Sequence, residues 1–227
     1  MSRPLRLIIF DVDGTLVDSQ GDILAAMRYA FDRAALIAPS RDEILGIVGL
    51  SLDVAMVRLA PDAEPDTQSG MVEWYKEAYM ELRAKTGTAE SSPLYPHARE
   101  VLETLARVPE NILGVATGKS RRGLDKLLGG HGLGHMFVTQ QVADHHPSKP
   151  HPSMLLQALS ETGIPAADAV MIGDTSFDMQ MARAAGIRPI GVSWGYHPRE
   201  SLNDAEQIID GFGELPACLG AMWEKTA

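Results

Sequence analysis

Five short apolar segments, separated by longer amphipathic ones, set the pattern of this sequence. The apolar segments cover residues 7–10, 112–116, 136–139, 169–172 and 189–192. Short, contiguous apolar runs of this kind are typical of parallel strands that are buried on both faces. Helical spacing of apolar residues follows over residues 97–108, 121–128, 153–162 and 178–185. Strands that alternate with helices in this way predict an α/β fold, with a parallel sheet flanked by helices.

Residues 16–92 break this alternation, because apolar residues there recur only at helical spacing. Ser40 and Glu43 have the spacing of a capping box, which predicts the start of a helix. The segment therefore predicts an all-helical subdomain inserted after the first strand. The polar, proline-containing residues 86–96 are its predicted return hinge. We interpret the aromatic residues Trp74, Tyr75 and Tyr79 as packing residues of this subdomain.

Composition narrows the class of protein. The chain has 227 residues, with 20 Lys and Arg against 30 Asp and Glu, which gives a net charge of −10. This balance speaks against nonspecific binding to nucleic acid or to anionic membranes. Cys218 is the single cysteine, so neither an intrachain disulfide nor a cysteine-rich metal cluster is expected. The first apolar run is too short for a secretory or membrane-spanning segment, and we expect a cytoplasmic monomer or homodimer.

Polar side chains follow the predicted strands at the points where the strands end. Ligands of open parallel sheets bind outside the carboxyl ends of the strands, so these side chains are expected to meet at one edge. Residues two apart on an extended strand face the same way, which lets the first two aspartates approach one site. The set consists of Asp11, Asp13, Thr117, Gly118, Lys149, Asp174 and Asp178.

These residue types suit a magnesium ion and a phosphate group. Mg²⁺ takes oxygen ligands, which the carboxylates of Asp11 and Asp174 and the backbone carbonyl of Asp13 would supply. Thr117, Lys149 and the amides of the turn at Gly118 would neutralise the remaining phosphate oxygens. The sequence therefore predicts a site for a small phosphorylated metabolite.

Four motifs carry a family resemblance. They are DVDGT at residues 11–15, Thr117 in VATGK, Lys149 in PSKPHP, and GDTSFD at residues 173–178. With these motifs in this order, the chain resembles phosphatases of the haloacid dehalogenase superfamily, in the phosphoglycolate phosphatase-like branch. The resemblance implies a Rossmann-like catalytic core of residues 1–15 and 93–227. It also implies a helical cap of residues 16–92.

The resemblance further implies a role for each motif residue. Asp11 would be the nucleophile that forms an aspartyl-phosphate, and Asp13 would protonate the leaving alcohol and then activate water. Lys149, with Thr117, would hold the phosphate. Asp174 would bind Mg²⁺ directly, whereas Asp178 would orient Lys149 or a metal-bound water without touching the metal.

Several histidines need a separate interpretation. His145, His146 and His151 lie within one loop, but no helical i, i+4 pair or nearby cysteine supports a transition-metal site. We interpret this loop as solvated. His97 stands where similar proteins often have glycine, and it is open whether it affects only a hinge or points its imidazole toward the cap.

Several activities are compatible with the superfamily. Asp13 argues against a dehalogenase, and the absence of Lys and Arg from residues 46–54 lowers the case for a sugar phosphate mutase. A phosphomonoesterase, with 2-phosphoglycolate as a candidate substrate, is the leading hypothesis. A pyrophosphatase and a sugar phosphate phosphatase or mutase are alternatives in the same superfamily. A noncatalytic regulatory module that binds a partner is the alternative of another class.

Overall fold

Residues 4–224 are described by a computed structural model, and they contain a six-stranded, fully parallel sheet. The strand order is β3-β2-β1-β4-β5-β6, so the chain proceeds outward from β1 in both directions. This change of direction leaves a crevice at the carboxyl ends of β1 and β4. The strands are β1 (Arg6–Phe10), β2 (Asn111–Thr117), β3 (Thr139–Val142), β4 (Ala169–Gly173), β5 (Arg188–Val192) and β6 (Gln207–Ile209).

Helices connect these strands, and six of the described helices lie between β1 and β2. None of the helices in residues 4–224 combines the length and the apolar character needed to cross a membrane. The predicted α/β fold is confirmed; the ends of the predicted core, residues 1–3 and 225–227, lie outside the described residues. The helices are α1 (Gln20–Arg33), α2 (Arg41–Leu45), α3 (Leu52–Leu59), α4 (Pro65–Thr86), α5 (Thr88–Ser91), α6 (Ala98–Ala106), α7 (Arg121–His131), α8 (Ser153–Thr162), α9 (Ser176–Ala184) and α10 (Leu215–Glu224).

Both faces of the sheet are covered, which explains why its strands are apolar without interruption. Ile8 and Phe10 of β1 pack into a cluster with α6, α7 and α10. Leu7 and Ile9, which point to the opposite face, pack with α8 and α9. Every one of these four side chains is fully buried, and burial of such a side chain stabilises a fold by roughly 1.5–3 kcal/mol.

The inserted helices have a hydrophobic cluster of their own, which includes Met27, Phe31 and Met71. The chain enters and leaves this layer by two segments that pair with each other. Val17 forms an antiparallel bridge with Leu94, and the two backbones exchange further hydrogen bonds on either side of it. This crossing lies next to the predicted limits of the cap, residues 16–92, which stay a prediction.

Two local predictions have opposite outcomes. The capping box is confirmed, because the Ser40 hydroxyl accepts from the Glu43 amide and the Glu43 carboxylate accepts from the Ser40 amide at 2.8 Å. The third strand was predicted at residues 136–139 and is wrong, because it runs from Thr139 to Val142. Its side chains include the buried Thr139 and Gln141, whose polar atoms bond to Glu161. Because these strand residues are polar, the apolar run in the sequence stops before the strand does. Neither β6 nor α10 was predicted.

His97 occupies a left-handed backbone conformation at the start of α6, with φ 65° and ψ 4°. Its side chain is exposed and does not line the cleft between the sheet and the inserted helices. What distinguishes His97 is therefore its backbone conformation and not a contact of its imidazole with the cleft. The backbone here has the geometry that glycine adopts without a Cβ penalty.

We expect His97→Gly to raise the free energy of unfolding by about 0.5–1 kcal/mol. Relief of left-handed strain, which costs of order 1–3 kcal/mol, should exceed the entropic cost of glycine. Urea titrations of the parent and the variant measure the difference. His135→Gly is the control, because His135 is also exposed but has an ordinary φ, so glycine should lower stability there. A loss of stability in His97→Gly equal to that of the control would contradict the prediction.

Candidate active site

The two aspartates that follow β1 lie at the crevice between β1 and β4. Asp11 continues the sheet, since its amide donates to the carbonyl of Ile172 at 2.9 Å, and it is 1% exposed. Gly14 then turns the chain with a φ of 80°, a conformation that favours glycine. A Cβ at Gly14 would collide with the Asp174 carboxylate. Glycine at this turn therefore allows Asp174 to lie beside the segment that carries Asp11 and Asp13.

Lys149 reaches the crevice from the loop between β3 and α8. Its ammonium lies 2.8 Å from Asp11 Oδ1 and 2.7 Å from Asp178 Oδ1, and all three side chains are buried. Burial alone would lower the pKa of Lys149, but the attraction of Asp11 and Asp178 outweighs it and raises the pKa. Asp178 is itself held in place, because the amide and the hydroxyl of Thr175 both donate to its Oδ2. Lys149 is therefore a fixed positive charge.

Asp174, just after β4, forms a cluster with Asp11 and Asp178 in which one oxygen of each lies within 4.8 Å of the others. Asp174 accepts hydrogen bonds from the Thr15 hydroxyl at 2.9 Å and from the Tyr196 amide at 2.8 Å. Burial raises the pKa of Asp11 to about 7 despite the nearby ammonium, and burial raises the pKa of Asp174 well above its ordinary value. One ammonium does not neutralise three buried carboxylates, so a further positive charge would stabilise the cluster.

The donor atoms of this cluster suit a divalent metal ion. Asp11 Oδ2 has no hydrogen-bond partner among the described residues, although it is buried. All donors of the cluster are carboxylate oxygens, which hard cations such as Mg²⁺ prefer, whereas softer metals select thiolate or imidazole. The carboxylate of Asp13 is not part of the cluster, which leaves only its backbone carbonyl for the predicted metal contact.

Gly118 lies where the inserted helices meet the sheet. A Cβ at this position would lie 2.6 Å from the carbonyl oxygens of both Gly49 and Leu50, in the loop between α2 and α3. The same loop is fastened one residue later, because the Ser51 amide donates to the Ser148 hydroxyl at 2.8 Å. Absence of a side chain at Gly118 therefore permits close contact between this loop and the end of β2.

Lys119 is a residue to which the sequence analysis assigned no role. Thr117, which is 1% exposed, accepts through its hydroxyl from the Lys119 amide at 3.2 Å. The Lys119 ammonium lies 2.8 Å from Asp13 Oδ2 and donates to the Tyr79 hydroxyl at 3.2 Å. Burial acts to lower the pKa of Lys119, but the attraction of Asp13 outweighs it and raises the pKa. The sequence offers one signal for Lys119, which is its position in the VATGK motif, two residues after Thr117.

Tyr196, in the loop after β5, also connects to the site and was missed. Its amide donates to Asp174, and its hydroxyl accepts from the Ser19 amide at 2.9 Å. The Ser19 hydroxyl in turn donates to the Asp13 carboxylate. This loop therefore links the carboxylates at the ends of β1 and β4. No local sequence pattern signals such a contact, because Ser19 and Tyr196 are distant in the chain.

A cleft of about 760 Å³ lies between the sheet edge and the inserted helices. Asp11 and Asp13 line it on the side of the sheet. Tyr75, Tyr79 and Arg83 of α4 line it on the other side. The two tyrosines also pack against the hydrophobic cluster of the inserted helices, as predicted. That they line the cleft as well was not indicated by the helical periodicity.

The three loop histidines do not form a ligand group in the part of the chain that the structure describes. His146 uses both ring nitrogens, with Ser153 Oγ at 2.8 Å and Gln141 Oε1 at 3.0 Å, and burial lowers its pKa. His151 Nδ1 accepts from the Ser153 amide at 3.2 Å. Within residues 4–224, the aspartate cluster is the one group of acids, histidines or cysteines close enough to hold an ion.

Comparison with known proteins agrees with this geometry. A model of the haloacid dehalogenase-like hydrolase family matches residues 8–192. The chain is 35% identical over 226 residues to the "Probable phosphatase IndB" of Dickeya dadantii, and the alignment covers 97% of this chain and 96% of that protein. It is 29% identical over 221 residues to the "Phosphoglycolate phosphatase" of Pectobacterium atrosepticum, covering 95% and 93% of the two chains.

A solved structure gives the same result for the fold. The haloacid dehalogenase-like family protein of Streptococcus pneumoniae superposes with a TM-score of 0.81 at 28% sequence identity. The superposition covers 94% of this chain and 98% of that one. The sheet and the inserted helices are therefore similar in both proteins.

We expect Mg²⁺ to stabilise protein that has been freed of metal by a chelator, because the ion would offset the repulsion among Asp11, Asp174 and Asp178. At about 100 times its Kd, the gain in free energy of unfolding should be about 2.7 kcal/mol. Thermal or urea unfolding with and without Mg²⁺ measures it. Asp174→Asn should lose most of the gain, whereas Asp62→Asn, at an exposed loop position, should keep it. An unchanged gain in Asp174→Asn would place the ion elsewhere.

We expect Gly118→Ala to disturb the contact between the sheet edge and the loop of Gly49 and Leu50, because the new methyl group meets backbone oxygens. Turnover should fall by about tenfold or more, since small misplacements at an active site can cost up to 10²-fold. Gly129→Ala in α7 is the control: its Cβ meets nothing within 4 Å, and alanine should slightly stabilise the helix. Equal activities of the two variants would show that the contact is dispensable.

Proposed function

The chain belongs to the haloacid dehalogenase-like hydrolase family, and from that membership we propose that it hydrolyses phosphomonoesters of small metabolites through an aspartyl-phosphate on Asp11. That the chain is a phosphatase of this family follows from relatives that match nearly its full length. The observation that carries the proposed mechanism is the set of contacts that the Asp11 carboxylate makes. Lys149 contacts its Oδ1 at 2.8 Å, while its Oδ2 has no hydrogen-bond partner among the described residues. An oriented, unshared carboxylate oxygen in a cleft is a suitable nucleophile.

In the first step, a carboxylate oxygen of Asp11 attacks the phosphorus atom of the substrate. The bond from phosphorus to Asp11 forms as the bond from phosphorus to the alcohol oxygen breaks. Asp13 supplies the proton that the departing alcohol takes up. The contacts of Asp13 with Lys119 and Ser19 orient its carboxylate outside the metal cluster.

The phosphate is held by groups that face it from several strands. Lys149 neutralises one of its oxygens, and the Thr117 hydroxyl with the amides of the turn at Gly118 donates to the others. Asp11, the Asp13 carbonyl and Asp174 would hold a magnesium ion, whose positive charge would offset the buried carboxylates and polarise the phosphoryl group. Asp178 keeps Lys149 in position through its contact at 2.7 Å.

In the second step, water attacks the phosphorus atom of the aspartyl-phosphate. Asp13, now a carboxylate, accepts a proton from that water, and the bond between phosphorus and Asp11 breaks. The products are inorganic phosphate and free Asp11. The two-step route replaces one difficult displacement by two easier ones.

The identity of the alcohol is set by the cleft rather than by these residues. Relatives named phosphoglycolate phosphatase make 2-phosphoglycolate one of the first substrates to assay. Pyrophosphate belongs in the same assay, because an attack by Asp11 on phosphorus does not depend on the leaving group being an alcohol.

We expect Asp11→Asn to abolish Mg²⁺-dependent release of phosphate from p-nitrophenyl phosphate and to form no covalent intermediate. Asp13→Asn should lower turnover by about 10²–10⁴-fold, the usual worth of general acid-base catalysis. Because p-nitrophenolate departs without a proton, this defect falls on the second step, and the phosphorylated protein should accumulate. Initial rates and the intact mass of rapidly quenched protein measure both effects.

Asp53→Asn is the matched control, because Asp53 lines the same cleft but is exposed. It should retain activity close to that of the parent. If Asp11→Asn turns over as fast as this control, the assigned nucleophile is wrong. If the parent releases no phosphate from any substrate, the noncatalytic alternative is correct.

A further inference from the structure

The loop after β5 lies directly on the candidate active site. The Tyr196 amide donates to Asp174 Oδ2 at 2.8 Å, and the Trp194 indole nitrogen donates to the Thr15 carbonyl at 3.1 Å. A Cβ at Gly195, between these two loop residues, would collide with the Asp174 side chain, so glycine permits the close approach. The loop is therefore fixed to the segments that follow both β1 and β4.

The hydroxyl of Tyr196 extends these contacts to Asp13 through a hydrogen-bond chain with a defined direction. The Ser19 hydroxyl donates its single proton to Asp13 Oδ1. At its 3.2 Å contact with Tyr196 Oη, Ser19 Oγ is therefore the acceptor and Tyr196 is the donor. Tyr196 Oη in turn accepts from the Ser19 amide at 2.9 Å. Tyr196 thus sets the direction in which the Ser19 hydroxyl points, which is toward the Asp13 carboxylate.

Removal of the Tyr196 hydroxyl would disturb Asp13 even though Ser19 lies between them. Ser19 is fully buried, and no other described residue accepts from its amide. A buried donor without a partner is costly, so the Ser19 segment would shift to find one. Asp13 is itself buried, and its other oxygen, Oδ2, is held by Lys119 at 2.8 Å. A shift of Ser19 would therefore turn the Asp13 carboxylate about its contact with Lys119.

The role of Asp13 in the proposed mechanism depends on the orientation of its carboxylate. Asp13 gives a proton to the departing alcohol and takes one from water, and such transfers require heavy atoms within about 2.6–3.2 Å of each other. We infer that Tyr196 is a positioning residue, whose hydroxyl acts through Ser19 to hold the Asp13 carboxylate in the orientation that proton transfer requires. This inference rests on the proposed phosphomonoesterase function, and it adds a residue from a loop outside the four motifs.

The test compares phenyl phosphate with p-nitrophenyl phosphate in the presence of Mg²⁺. The two esters have similar shapes, but phenol is the weaker acid, so phenolate takes a proton from Asp13 as it departs and p-nitrophenolate does not. Tyr196→Phe keeps the ring and the backbone amide and removes only the hydroxyl. It should lower kcat/KM for phenyl phosphate by about tenfold, since small misplacements at an active site can cost up to 10²-fold. It should change kcat/KM for p-nitrophenyl phosphate by less than about twofold, because this quantity reports the first step, which needs no proton there.

A double-mutant comparison separates positioning from structural support. In the Asp13→Asn variant, which lacks the acid, the addition of Tyr196→Phe should lower kcat/KM for phenyl phosphate by less than about twofold. A residue that only supports the fold would cost the same factor in both backgrounds. Tyr95→Phe is the matched control, because the Tyr95 ring centroid lies 6.2 Å from that of Trp194 and its hydroxyl makes no hydrogen bond to a described residue. This control should leave both rates unchanged.

The inference is overturned if Tyr196→Phe leaves both substrates unaffected or lowers kcat/KM for both by the same factor. It is also overturned if the factor for phenyl phosphate is as large in the Asp13→Asn background as in the parent. A ratio of two substrates measured on one preparation does not depend on the folded fraction. A parent that hydrolyses p-nitrophenyl phosphate retains the proposed function in each of these cases. A parent inactive on both substrates contradicts the proposed function itself.

Discussion

Three carboxylates buried around a single ammonium are the interaction on which the rest of this structure depends. Asp11, Asp174 and Asp178 meet Lys149 at the crevice where the strand order changes direction. Burial, together with the nearby negative charge of Asp178, raises the pKa of Asp11 to about 7 despite the attraction of Lys149, and backbone and hydroxyl donors surround the cluster. Carboxylates buried this close together repel one another, and a bound cation would offset that repulsion.

The inserted helices complete the site from the other side. The loop of Gly49 and Leu50 lies against Gly118, and α4 faces the aspartates across the cleft. In the proposed reaction, the groups that act on phosphorus come from the strand ends, and α4 lines the opposite side of the cleft. Arg83 and Lys119 both line the cleft, and each is paired with an acid, so they make its wall polar without giving it a strong net charge.

Much of the fold and most of the reacting groups could be predicted from local pattern. Strands buried on both faces leave contiguous apolar runs, and only β3 was misplaced, because its buried Thr139 and Gln141 are satisfied by a distant Glu161. Lys119 and Tyr196 escaped prediction for a related reason. Each is a common residue type whose role depends on a partner far along the chain, and no spacing within the sequence records such a partner.

By itself, the sequence determined the α/β alternation, the helical insertion and the motif residues that follow the strands, because hydrophobic period and short motifs are local properties. Only the tertiary structure decided which charges neutralise one another. It brought Lys149 between Asp11 and Asp178, and it paired Lys119 with Asp13. Electrostatic balance depends on distances and burial between remote segments, and these exist only once the chain has folded.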